Sequence, residues 1–101
     1  MAQLFDTDDI KLRLLPVFEN SLIERATLFG SYALGTAVEQ SDIDIVVDSR
    51  GKIRGIEFYA VLEDITEALG MKVDLFELSE IQPHSPIMDE INRQGVVIYE
   101  R

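Results

Sequence analysis

The chain has 101 residues and a formal net charge of -10, from nine basic against nineteen acidic side chains. That length is one small domain, and 47% hydrophobic residues supply a core and exclude a disordered chain. The acidity argues against gripping a nucleic-acid polymer by its phosphates or lying on an anionic membrane. With no Cys there is no disulfide, thiolate metal site or cysteine nucleophile, so any metal falls to oxygen ligands and the single His84. Met1 to Asp9 lacks the basic flank and apolar stretch of a signal peptide, and no apolar run approaches a membrane span. A soluble cytoplasmic protein is expected.

Asp6 to Asn20 reads as an amphipathic helix capped by Asp6 or Thr7, with Ile10, Leu14, Val17 and Phe18 on one face. Pro16 is expected to kink or divide it. Ala26 to Phe29 reads as a short buried strand closed by Gly30, and one or two helical turns start at Ser31. Asp42 to Asp48, rich in β-branched residues, is the strongest strand. A loop from Ser49 to Gly55 follows, carrying Arg50, Lys52 and Arg54. Ile56 to Leu69 is a second long helix, with Phe58, Leu62, Ile65 and Leu69 along one stripe and Gly70 at its C′ position. Lys72 to Leu78 is a third strand; Pro83 and Pro86 mark a loop, Ile87 to Gln94 a last helix, and Val96 to Tyr99 a closing strand. This order predicts a one-sheet α/β or α+β domain over residues 1–101.

The chemistry concentrates between Gly30 and Asp44. Residues two apart in a strand share a face, so Asp42 and Asp44 should project together, away from Ile43 and Ile45. Paired carboxylates on a buried strand repel and resist desolvation unless a cation lies between them. Oxygen-only ligands suit Mg²⁺. Gly30-Ser31, a glycine closing a strand before a serine that opens a helix, offers free backbone N–H groups to a phosphate. Together these point to phosphoryl or nucleotidyl transfer. Asp74, mid-strand between Val73 and Leu75, is placed to join the pair if its strand is the neighbour. There it would share a metal or accept the proton of an attacking hydroxyl.

Gly30-Ser31, ten intervening residues, then Asp42-x-Asp44 resembles the signature of the nucleotidyltransferase superfamily shared with DNA polymerase β. With Lys72-Val73-Asp74-Leu75 and the ending Gly95 to Tyr99, nearly the whole chain is similar to the minimal nucleotidyltransferases, the MNT or MntA-type proteins. The resemblance implies a mixed sheet flanked by helices, ATP as substrate and two Mg²⁺ ions. It implies that Asp42 and Asp44 hold metal, that Asp74 is a third ligand or the base, and that Gly30, Ser31 and Ser41 contact the nucleotide. Relatives of this size are antitoxins of HEPN/MNT toxin–antitoxin pairs, which transfer AMP to a tyrosine of a helical HEPN ribonuclease in a type VII-like manner. Leu34 stands where many of them carry Arg. Two other readings are a catalytic subunit of a two-component enzyme for a small molecule and a non-catalytic antitoxin that acts by binding. Because the core elements leave nothing for an acceptor pocket, acceptor choice is expected to come from a partner chain or a second copy.

The remaining polar features have plainer readings. Arg50, Lys52 and Arg54 are either a solvated face or a contact to the phosphate tail or a partner. His84 is expected at the surface, Asp48 merely ends its strand, and Tyr32, Tyr59 and Tyr99 are expected to pack.

Overall fold

The computed structural model describes residues 5–101. Helix α1 (Thr7–Glu19) starts at Asp6, whose carboxylate accepts from the Asp9 N–H at 2.8 Å while the Asp6 N–H donates back to Asp9 at 3.3 Å. This reciprocal cap satisfies two otherwise orphaned donors. Pro16 does not divide the helix. It deprives only the Leu12 carbonyl of a partner, and Leu12 is 73% exposed, on the side where water can serve that group. The last turn of α1 has no basic residue of its own. Instead the Arg101 guanidinium donates to the carbonyls of Phe18, Glu19 and Ser21 at 3.3–3.4 Å.

Strand β1 (Arg25–Phe29) leads through Gly30 into the one-turn helix α2 (Ser31–Leu34), then to β2 (Ile43–Asp48) and α3 (Ile56–Leu69). Strand β3 (Val73–Glu77), a 3₁₀ turn at Leu78–Glu80, α4 (Pro86–Gln94) and β4 (Val96–Glu100) complete the order. The sheet runs β3-β2-β1-β4. Its β2–β3 pair is parallel, joined by the crossover through α3, and its other two pairs are antiparallel. This is the single sheet that the order of elements predicts, mixed and flanked by helices as the family resemblance implies.

Period-2 alternation sorts β2 onto two faces. Ile43, Ile45 and Val47 enter the main core with Leu28 of β1, Val73 of β3 and the apolar stripes of α1 and α3. On α3 the buried stripe is Val61, Ile65 and Leu69, while Phe58 and Leu62 are only partly buried beside it. The expected stripe was thus rotated by part of a turn. Asp44, Val46 and Asp48 look the other way, toward the side on which α4 contacts β1. Tyr32 and Tyr99 pack as expected: Tyr32 lies in the main core, and the Tyr99 ring sits 5.2 Å from that of Phe18. Tyr59 does not, being 69% exposed. Its position on the solvent side of α3 follows from the same rotation.

Candidate active site

Strand register brings the site together. Phe29, Asp44 and Asp74 are successive partners across β1, β2 and β3, so the two acids sit side by side on adjacent strands, roughly 4.8 Å apart at the backbone. Beside them on the same face the rings of Phe29 and Phe76 approach to 5.7 Å. Gly30 follows Phe29 at once, with φ +75, and the Ala33 and Leu34 N–H groups donate to its carbonyl at 3.1 and 3.2 Å. A Cβ at position 30 would collide with the Asp44 carboxylate. Glycine is therefore required twice here, by the backbone conformation and by the close approach. The next N–H groups, of Ser31 and Tyr32, open the helix and have no partner within it.

Electrostatics marks Asp44. Its pKa rises from 3.8 to about 6, first through burial, then through the charges of Asp74, Glu90 and Asp42 and a hydrogen bond with the Asp74 side chain. The Asp74 charge thus disfavours the ionised form of Asp44, and a cation between the two would relieve Asp44. Asp42 differs from expectation. It precedes β2 rather than lying in it, and its carboxylate sits 3.5 Å from the Lys72 ammonium across the β2–β3 entrance. It is close enough to add negative potential at Asp44. Among the described residues, no three acidic or histidine side chains form a preassembled metal site. The donor set nonetheless fits a hard cation: two adjacent carboxylates, a third that needs only to leave a solvated ion pair, and a glycine corner open to phosphate.

Ser31 is half-buried at the start of α2. The Ser41 hydroxyl accepts from the Val38 N–H at 2.9 Å, closing the turn before β2. Leu34 is half-exposed beside Phe5, Asp6 and Thr7 at the opening of α1. His84 is exposed in the loop before α4, as expected. The basic loop does not reach the acids: six residues separate Asp44 from Arg50, about 20 Å along an extended chain. There the Arg50 Nε lies 2.9 Å from Glu24, and Arg54 donates to the Gly51 carbonyl at 2.9 Å. Contact with a phosphate tail at Gly30 is therefore not its role.

Two features escaped sequence reasoning. Glu90 of α4 presents a further acid to Asp44. The readable signal was an acid interrupting the Ile87–Ile91 stripe at helical spacing. Glu77, only 5% exposed, ends β3 and accepts from Ser49 N–H and Oγ (3.3 and 2.5 Å) and from Ser79 N–H (3.2 Å). The Ser49 Oγ in turn accepts from Ile53 N–H at 3.1 Å, so this network fixes the loop leaving β2.

Carboxylates on neighbouring strands beside a glycine-closed helix start fit the class of phosphate-transferring enzymes. The comparisons make that class specific. The sequence matches the family described as polymerase beta, nucleotidyltransferase, over residues 13–101, and the chain belongs to that family. It is 32% identical to a candidate protein adenylyltransferase of Methanocaldococcus jannaschii over 76 residues, 75% of this chain and 82% of that protein. It is 43% identical to the protein adenylyltransferase MntA of Thermococcus cleftensis over 72 residues, 70% of each. In fold it is similar to a chain of a toxin–antitoxin crystal structure with AMP-PNP, with a TM-score of 0.77, 24% identity, and coverage of 90% of this chain and 73% of that one. A complex of tri-AMPylated Shewanella oneidensis HEPN toxin with MNT antitoxin matches at a TM-score of 0.71 and 20% identity, over 94% and 73% of the two chains. The chain is a nucleotidyltransferase, as its motif spacing implied.

Proposed function

We propose that residues 1–101 act as one minimal nucleotidyltransferase domain that moves AMP from ATP to a protein hydroxyl, a tyrosine of a helical HEPN-type toxin, and so serve as its antitoxin. The observation that carries this reading is the Asp44–Asp74 pair, held side by side by register, with Asp44 packed directly against Gly30. The names of the relatives supply the acceptor class. We take the reaction to occur in the cytoplasm; among the described residues no helix is long and apolar enough to cross a membrane.

In this reading the N–H groups opening α2 at Ser31 and Tyr32 bind the triphosphate, and Ser41 adds a polar contact at the mouth of β2. Asp42, Asp44 and Asp74 would hold Mg²⁺, which when bound neutralises the phosphate oxygens and the departing pyrophosphate. The acceptor O–H attacks the α-phosphorus, a new P–O bond forms, and the bond to the bridging oxygen of pyrophosphate breaks. The acceptor proton passes to a carboxylate, for which Asp74 is the candidate, one strand from Asp44.

The test supplies ATP labelled at the α-phosphate, Mg²⁺ and the toxin encoded beside this chain. Label should appear on a toxin tyrosine and disappear with Asp44→Asn or Asp74→Asn. Tight toxin binding without label, equal in wild type and variants, would replace this reading by inhibition through binding alone.

A further inference from the structure

The helical layer carries a groove of about 730 Å³ between the second half of α1 and the length of α3. Because α1 and α3 cover the core face of the sheet, the groove lies on the opposite side of the molecule from Asp44 and Asp74. Its floor is apolar and small-featured, with Val17, Leu22, Ala60 and Ala68. Every ionisable side chain lining it is acidic: Glu57, Asp64 and Glu67. We propose that this groove docks an amphipathic helix of a partner protein whose apolar stripe is flanked by Lys or Arg.

Three observations select that occupant. The α3 lining runs from Glu57 to Ala68, a rise of about 17 Å, which matches three turns of a docked helix. Ala60 and Ala68 lower the α3 side of the groove, so a docked helix axis can approach α3 to about the usual 8–10 Å, with Val17 and Leu22 left to pack against its apolar stripe. The acidic rim rewards basic flanks and penalises acidic ones. A second copy of this chain brings a net charge of -10 to the same acidic rim, and its one helix with flanking basic residues, α1, also carries Asp8 and Asp9 beside Lys11 and Arg13, so a separate basic partner is the better match. An anionic membrane is repelled by the same rim. Binding in this mode reads apolar anchors at i, i+3, i+4 and i+7. The inference rests on the adenylyl-transfer reading only in naming how the acceptor protein is held, with the carboxylate face left free for ATP and the reacting segment.

The probe is a fluorescein-labelled helical peptide of about 18 residues, with a leucine stripe flanked by lysines, and its counterpart with glutamates in their place. Anisotropy should show the lysine peptide binding and the glutamate peptide not. Ala60 is exposed, so Ala60→Trp can fill the groove without altering core or net charge, and should weaken binding at least tenfold. Asp64→Lys/Glu67→Lys should weaken it similarly, with circular dichroism confirming both folds. Asp44→Asn should bind as wild type does. Undiminished binding by Ala60→Trp would reduce the effect to bulk charge and overturn the proposal, as would failure of the lysine peptide to bind. Label transfer to the toxin is scored separately: peptide docking with no transfer removes only the functional reading, and transfer without docking removes only the groove.

Discussion

Replacing Asp44 by Asn probes the electrostatics of the site most directly. Without metal, the Asp44 carboxyl titrates near 6 instead of 3.8, because burial and then the charges of Asp74, Glu90 and Asp42 penalise its ionised form. A carboxyl whose pKa rises on folding favours the native state only while protonated. Its stabilisation is complete below about pH 3.8 and is lost as pH rises through about 6. The gap between those values corresponds to about 3 kcal/mol, of which the interval from pH 5 to 8 captures about half. Partial solvation of the half-buried group lowers the observable difference to about 1 kcal/mol. Asp44→Asn keeps the shape and removes the titration. Urea unfolding in EDTA at pH 5 and pH 8 should show wild type losing about 1 kcal/mol more than the variant over that interval. The variant should be the more stable protein at pH 8 while losing nucleotidyl transfer, a trade expected where function keeps a strained group. Equal pH slopes, or a variant less stable at pH 8, would refute the reasoning.

Further perturbations separate the other parts. Gly30→Ala places a methyl against the Asp44 carboxylate in a backbone with φ +75, and should cost about 1–3 kcal/mol in thermal unfolding and at least tenfold in transfer rate; a fully active variant would show that the corner is not used. Lys72→Ala removes a solvated partner of Asp42, so stability should change by less than about 0.5 kcal/mol while calorimetry shows tighter Mg²⁺ binding. Unchanged Mg²⁺ affinity would take Asp42 out of the ligand set. Glu77→Ala strands the buried Ser49 donors and should cost about 2–3 kcal/mol in urea unfolding, with no direct effect on phosphate binding. A loss below 1 kcal/mol would mean water replaces the carboxylate there.

Local chemistry made much of this legible. The ends of α3 coincide with the predicted Ile56 and Leu69 because an apolar stripe and a glycine with φ +66 bound it on their own. The Gly30, Asp44 and Asp74 constellation was readable because each residue type has few alternatives at its position. What failed to show depends on how separate elements meet. Whether Asp42 faces Asp44 or pairs with Lys72 depends on where β2 begins and how β3 enters the sheet. Glu90 reaches the site only because α4 crosses that face. The basic loop seemed available to phosphate until strand direction carried it to the far end of the sheet, where Arg50 already meets Glu24.

These placements give the net charge of -10 a direction. Asp44 sits among Asp74, Glu90 and Asp42, whose charges raise its pKa, while Arg50, Lys52 and Arg54 lie at the other end of β2. The described site therefore offers a triphosphate hydrogen-bond donors but little fixed positive charge beyond the Lys72 ammonium, itself 3.5 Å from Asp42. An anion enters such a field only with its own counter-charge. Affinity for ATP should consequently depend steeply on Mg²⁺, and EDTA should abolish nucleotide binding rather than merely slow turnover. The same acidity, spread over the rim of the α1–α3 groove, selects a basic surface on the acceptor. In the proposed function a single charge bias would act at both ends of the transfer, by making the nucleotide dependent on a cation and by attracting the protein that receives AMP.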